Sequence, residues 1–212
     1  MKLKTSFFKK KSSLFKQFKR DKTSICVVGS GPSGFYTTEE LLNKNKEIEV
    51  DIVEKLPTPF GLIRYGVSPD HPEVKVVQKR FESMIEKTGR IRFFGNVNVG
   101  KDITVDELAK RYSAIVFCYG ASLQKDLGVD SKGLKGIGNV RDFVNFYNGH
   151  PEFVDDGRYD LRNVEDISII GNGNVSIDAA RIFTRDLDEL KSTDISERAI
   201  KSLSNSKVKR VK

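Results

Sequence analysis

Ile25-Cys26-Val27-Val28-Gly29-Ser30-Gly31-Pro32-Ser33-Gly34 is the stretch that decides the fold. A short apolar run enters a glycine-rich turn, and a segment of helical periodicity follows it. A strand, a tight turn and a helix N-terminus together make a pyrophosphate site. Backbone N–H groups point at the anion, and the helix dipole adds roughly half a positive charge. Gly29 makes the turn, Gly31 lets the backbone approach a phosphate, and Gly34 keeps helix and strand close. The same device recurs far downstream, where Ile167-Ser168-Ile169-Ile170 leads into Gly171-Asn172-Gly173-Asn174-Val175-Ser176. One such motif is weak. Two in register in one chain predict two dinucleotides, and a protein needs two chiefly to pass electrons between them. The fold class expected is α/β, with one Rossmann-like unit followed by the start of a second.

Composition narrows the alternatives. At 212 residues, 38% hydrophobic and 31% charged, the chain is globular, with room for one large or two small domains. No apolar run approaches the roughly 20 residues of a membrane span. The net charge of +8 invites a nucleic-acid reading, so its location matters. Lys2, Lys4, Lys9, Lys10, Lys11, Lys16, Lys19 and Arg20, with no acid among them, account for the whole excess. The remainder is balanced and demands no polyanion, so no nucleic-acid partner is expected. That basic segment also carries Ser with Phe7, Phe8, Leu14, Phe15 and Phe18. It has the composition of an organelle transit peptide, mitochondrial import being the expectation, or of a plain basic tail. Cys26 and Cys118 fall in apolar runs and read as buried structural thiols. With two His and no Cys/His cluster, neither a metal nor an iron–sulfur centre is supported.

Along the chain, strand one reads as Ser24 to Val28 and the first helix as Pro32 to Asn43. Glu49 to Val53 is strand two. It ends in Glu54, where a ribose-binding carboxylate belongs in such a unit. Residues 55–72 form a long loop with Pro57, Pro59, Pro69 and Pro72, and loops of that kind are usually functional. Glu73 to Lys87 is helical by pattern. Ile91–Phe94 and Val97–Val99 are short strands, Thr104 with Glu107 is a capping box, and Ala114 to Cys118 is an apolar strand. A helix over 140–148 leads to a linker, His150 to Asn163, broken by Pro151 and Gly157. The domain boundaries expected are therefore a basic tail at 1–22, a first dinucleotide unit at 23–149 and a second at 150–212. In the second, a helix runs from Asn174 to Thr184, another has Asp194 and Glu197 as its capping pair, and a strand begins at Lys207. A doubly wound sheet needs further strands on both edges. The sequence thus reads as the front portion of a longer protein.

Val27-Val28-Gly29-Ser30-Gly31-Pro32-Ser33-Gly34-Phe35-Tyr36 and the stretch Pro59-Phe60-Gly61-Leu62-Ile63-Arg64-Tyr65-Gly66-Val67-Ser68-Pro69-Asp70-His71-Pro72-Glu73-Val74-Lys75 resemble the adrenodoxin-reductase type of ferredoxin–NADP reductase. So do Gly171-Asn172-Gly173-Asn174-Val175-Ser176-Ile177-Asp178, Gly95-Asn96-Val97, Tyr119-Gly120-Ala121 and Thr193-Asp194-Ile195. The proline-rich stretch ending in Asp70-His71-Pro72 is far more specific than either glycine motif. The resemblance implies an FAD domain into which an NADP domain is inserted, passing electrons from NADPH to an adrenodoxin-like [2Fe–2S] ferredoxin. On matching positions, Gly29, Gly31, Ser33, Gly34, Glu54, Leu62 and Val99 would contact FAD, and Asn172, Gly173, Asn174 and Val175 would contact NADP. His71 and Asp178 would approach one another beside the flavin. Ser33 and Ser176 stand where the pattern usually has alanine, a small-for-small change. The Arg-Arg segment that the pattern places just past residue 212 falls outside the sequence, so this chain alone is expected not to support the full reaction. Two other readings stay open: a non-catalytic dinucleotide-binding module, and a flavin subunit of a larger reductase.

His71 and Asp178 form the catalytic candidate. Asp178 follows Asn174 by one helical turn and shares its face. The expectation is a pair across the boundary between the two domains, hydrogen-bonded directly or through one water, in which the carboxylate fixes the imidazole tautomer and favours the protonated ring. The plain alternative is a loop histidine and a solvated helix acid.

Overall fold

The computed structural model describes residues 23–121, 128, 134 and 136–212. The basic tail expected at 1–22 lies outside them. The chain divides into two compact units, the described parts of Met1–Phe60 with Arg80–Gly120, and of Gly61–Lys79 with Ala121–Lys212.

In the first unit, β1 (Ser24–Val28), β2 (Glu49–Val53), β3 (Ile91–Phe94) and β4 (Ala114–Phe117) form a parallel sheet in the order β3-β2-β1-β4. β1 is buried along its whole length, which is why it reads as a continuous apolar run and not as an alternation. Cys26 pairs with Asp51 on one side and Ile115 on the other. α1 (Pro32–Lys44) opens on Pro32, at the position where a missing N–H costs nothing. Its Phe35 stacks on Phe81 of α4 (Val77–Thr88), the ring centroids 4.7 Å apart. α5 (Val105–Ala109) carries the expected capping box on Thr104 and Glu107.

Three expectations need correction here. Ala114–Cys118 is not a buried strand: Ala114 and Phe117 are exposed and Cys118 is half-buried, because among the described residues β4 is paired only to β1. Cys26, by contrast, is fully buried, and burial, with the charge of Asp51 behind it, pushes its thiol up to about 12. Val97–Val99 is not a strand but a single bridge from Val99 to Ile103. Glu73–Lys87 is not one helix. It is α3 (Pro72–Lys75) and then α4, separated at Val76 by tight turns in which Val76 N–H reaches only to Glu73 O and Lys79 N–H to Val76 O.

β2 also holds a charge that hydrophobic pattern alone would not place there. Asp51 is fully buried, its carboxylate bound bidentately by Arg92 at 2.8 and 2.6 Å and by the Tyr112 hydroxyl at 2.6 Å. A buried carboxylate is costly unless paired and saturated with donors, and this one is.

The second unit contains α2 (Leu62–Tyr65) and α3, then α6 (Val140–Tyr147), α7 (Asn174–Thr184), α8 (Leu187–Lys191) and α9 (Glu197–Ser204). The core among α6 to α9 is built from Phe143, Tyr147, Ala179, Ile182, Leu190 and Ala199, with Phe183 stacked on Phe143 at 4.2 Å. β5 (Asp166–Ile167) pairs in parallel with β6 (Arg210–Val211), and Ile169 N–H to Lys212 O at 2.7 Å extends the ladder. The helix expected after Asp194 is capped instead by Ser196, which accepts from Ala199 N–H. Asp194 is otherwise engaged, its two oxygens each 2.7 Å from Lys75 Nζ.

Candidate functional site

The first glycine turn separates three roles. Gly29 has φ +105°, and a Cβ there would sit 2.5 Å from the Cys118 carbonyl oxygen. A Cβ on Gly34 would sit 2.1 Å from the Gly29 carbonyl oxygen, so α1 could not pack against its own turn. Gly31 differs: φ is −76°, ψ is −172°, and a Cβ would meet nothing within 4 Å. Its side is open space above the first turn of α1. There the N–H groups of Ser33 and Gly34 have no carbonyl behind them in the helix. That cradle has the shape and polarity that a pyrophosphate fits.

Glu54, just past β2, is buried, and its carboxylate is already in use. Oε2 accepts from Ser30 N–H at 2.8 Å and Ser30 Oγ at 2.7 Å, and Oε1 accepts from Leu56 N–H at 3.0 Å. A carboxylate offers about four lone-pair sites, so roughly one remains for a ribose hydroxyl. Ser30, which sequence reasoning passed over, thereby ties the glycine turn to the end of β2. Its carbonyl also accepts from Phe60 N–H at 2.9 Å, where Phe60 stands at φ +88°. Of the other residues assigned to this cradle, Ser33 lies in the first turn of α1. Val99 is half-buried in its bridge to Ile103.

The second turn repeats the geometry. Gly171 has φ +132°, while Gly173 has φ −92° and open space where a Cβ would go. Asn174 and Val175 occupy the first turn of α7, beyond the N-cap Gly173, and their N–H groups likewise have no carbonyl behind them. Asn172 lies between the two glycines, exposed. Leu62, assigned to FAD contact, opens α2 with its side chain 66% exposed.

The second unit also brings His71 to Asp178. His71 Nε2 lies 4.0 Å from Asp178 Oδ1, too long for a direct hydrogen bond. Arg181, one turn along α7, is in contact with both. Its Nη2 is 2.5 Å from His71 Nε2 and 2.5 Å from Asp178 Oδ1. Its Nε donates to Asp70 Oδ2 at 2.7 Å, and Asp70 has a fully buried side chain. On its other side, His71 Nδ1 is 3.0 Å from Glu73 Oε1. Burial would raise the Asp70 carboxyl, but the hydrogen bond and charge of Arg181 outweigh it and hold it at about 2. Ser68 Oγ, Asp70 Oδ1 and Tyr147 OH are buried beside this group. Burial, followed by the charge of Asp178, pushes the Tyr147 phenol up. The sequence reading did not single out Arg181. The signal was available in its spacing of three from Asp178, which puts both on one helix face.

Comparison with known proteins accords with this geometry. Residues 27–82 match the model of an NAD(P)-binding Rossmann-like domain. The mitochondrial NADPH:adrenodoxin oxidoreductase of Homo sapiens is 47% identical over 187 residues, covering 88% of this chain and 37% of the relative. That of Arabidopsis thaliana is 44% identical over 187 residues, covering 88% and 38%. The chain thus spans less than two fifths of the length of these curated relatives. The solved structure of Mycobacterium tuberculosis FprA in complex with NADPH superposes with a TM-score of 0.84 at 40% identity, covering 90% of this chain and 42% of that one. Both glycine turns and the Asp70-His71-Pro72 loop lie inside the shared region, and over 88% of its length the chain is similar to part of the mitochondrial NADPH:adrenodoxin oxidoreductases.

Proposed function

We propose that this chain carries the dinucleotide-binding apparatus of a flavoprotein oxidoreductase, one that passes electrons from NADPH through FAD to an adrenodoxin-like [2Fe–2S] ferredoxin. The observation that carries this reading is the pair of cradles, each with a glycine whose missing side chain leaves room above a helix N-terminus. Charge assigns them. Glu54 at the end of β2 would repel a 2′-phosphate and suits a ribose with free hydroxyls, so FAD belongs to the first cradle. That leaves the second cradle for NADP, where no acid follows β6, although Lys209 and Arg210 are themselves engaged by Glu165 and Asp166.

A flavin held in the first cradle would supply the conversion between two-electron hydride chemistry at the nicotinamide and one-electron transfer to the iron–sulfur partner. The chain's own residues bind and orient. Gly31, Ser33 and Gly34 hold one pyrophosphate with Glu54 on the ribose, and Asn172 to Val175 hold the other. His71 and Asp178 are the groups assigned to proton handling near the reacting rings. The relatives named above are called mitochondrial, and with the basic, acid-free segment of residues 1–20 this supports import into the mitochondrial matrix.

Titration of the purified chain with FAD, followed by quenching of flavin fluorescence, tests the first cradle. Calorimetry with NADP and NAD tests the second. Stoichiometric binding of FAD is expected, with weak binding of NADP and little discrimination from NAD. Binding of neither would end the proposal. A reporter fused to residues 1–20 that stays in the cytosol would remove the import assignment alone.

A further inference from the structure

Five groups converge in the second unit: His71, Glu73, Asp70, Asp178 and Arg181. Only one arrangement of protons satisfies them. A guanidinium is charged at any accessible pH and has donors but no acceptor. Arg181 Nη2 lies 2.5 Å from His71 Nε2, so Nε2 must present its lone pair there; an N–H at that nitrogen would face an N–H. A carboxylate is acceptor-only when ionised, and Glu73 Oε1 lies 3.0 Å from His71 Nδ1, so Nδ1 must carry the hydrogen. Asp178 Oδ1, at 4.0 Å from Nε2, is the group that would otherwise draw a proton onto that nitrogen, but its oxygen already accepts from Arg181.

We propose that Arg181 is a positioning residue that holds His71 as the neutral Nδ1–H tautomer and stands between its ring and Asp178. Arg181 can do so because it is itself held. Its Nε donates to Asp70, which is buried, and Asp70 adjoins His71 in the same loop, so ring and guanidinium are fixed to one support. In this state His71 has no proton to give from Nε2. Arg181 must withdraw before Asp178 can pair with the ring and Nε2 can carry a hydrogen. The arrangement differs from an Asp178-oriented histidine, in which the carboxylate would itself place hydrogen on Nε2. His71's assigned role rests on the proposed function, but its tautomer can be read with no dinucleotide present. Failure of the tautomer assignment therefore leaves the cofactor reading standing, and failure of cofactor binding leaves the tautomer standing.

The chain contains only two histidines, which makes the experiment direct. Long-range proton–nitrogen correlation spectra of the chain labelled with ¹⁵N-histidine separate protonated from bare ring nitrogens, and His150→Gln assigns His71. In the unsubstituted chain at neutral pH, Nδ1 should carry hydrogen and Nε2 should be bare. Arg181→Met keeps much of the apolar stem and removes every donor, and Nε2 should then gain hydrogen as the ring turns to Asp178. Asp178→Asn, which leaves Arg181 in place, should keep Nε2 bare. Hydrogen on Nε2 of the unsubstituted chain overturns the proposal. So does an unchanged Nε2 in Arg181→Met. Should Arg181→Met fail to fold, Asp178→Asn decides alone: Nε2 that stays bare supports Arg181, and Nε2 whose state follows Asp178 overturns it.

Discussion

Alanine substitutions at Gly31 and Gly34 should part company, although the two stand in one short motif. At Gly34 the new methyl would lie 2.1 Å from the Gly29 carbonyl oxygen and 3.1 Å from its carbon, well inside contact distance. Neither partner is a flexible side chain that can swing away. Overpacking usually costs 1–3 kcal/mol, and here the upper end, about 3 kcal/mol or more, is expected because α1 must lift off β1. At Gly31 the backbone is extended and the methyl meets nothing within 4 Å. Restricting the unfolded chain gains about 0.4–1 kcal/mol. Alanine is a poorer N-cap than glycine, which takes back about the same. The net change should be within about 1 kcal/mol, a shift of roughly 2–4 °C in the melting temperature at most for a chain of this size.

Ligand binding should run the other way. The space the Gly31 methyl enters is where a pyrophosphate would meet the helix amides, so Gly31→Ala should weaken FAD at least tenfold, about 1.4 kcal/mol. Gly173→Ala should do the same to NADP and leave FAD alone. Thermal melts by circular dichroism and flavin-fluorescence titration on the same preparations measure both quantities. If Gly31→Ala melts as early as Gly34→Ala, the open space is not open. If it melts like the unsubstituted chain and binds FAD equally well, the cradle is not the pyrophosphate site.

Other consequences follow from the same contacts. Glu54→Ala strips the carboxylate from the Ser30 and Leu56 amides. It should cost about 2 kcal/mol or more of stability as well as about 1–3 kcal/mol of FAD affinity, and urea unfolding with and without FAD separates the two. Asp51→Ala, which leaves Arg92 and Tyr112 around a lost charge, should cost about 3–5 kcal/mol in the same assay. The folded pKa of Asp70 is about 2, below its ordinary 3.8. The contribution of its pair with Arg181 is therefore whole above 3.8 and is lost as pH falls toward 2. It amounts to at most about 2 kcal/mol, and urea midpoints across that interval should fall less steeply in Asp70→Asn.

What sequence reasoning could see, and what it could not, follows from the range of the forces involved. β1, β2, β3 and the helix from Asn174 were legible to the residue, because glycine turns and apolar runs are local signals that the chain states in order. The cap of α9 was misread because Asp194 and Ser196 are both competent caps. The choice fell to Lys75, distant in sequence, which captures the Asp194 carboxylate. Val76 breaks a helical pattern that periodicity alone would continue.

At the candidate site the limit is sharper. Sequence could bring His71 and Asp178 into one neighbourhood, and their separation of 4.0 Å agrees with that much. It could not say what lies between them. A histidine near an aspartate suggests a proton shared by attraction, and that inference holds only while the carboxylate is free. Arg181 takes the carboxylate and turns a cation toward the ring. The sign of the local field at Nε2 is then set by a residue that pattern reading would pass as an ordinary helix arginine. Proton chemistry at such a site is decided by which donor fills the last lone pair, and that is a property of the packed unit, not of any motif.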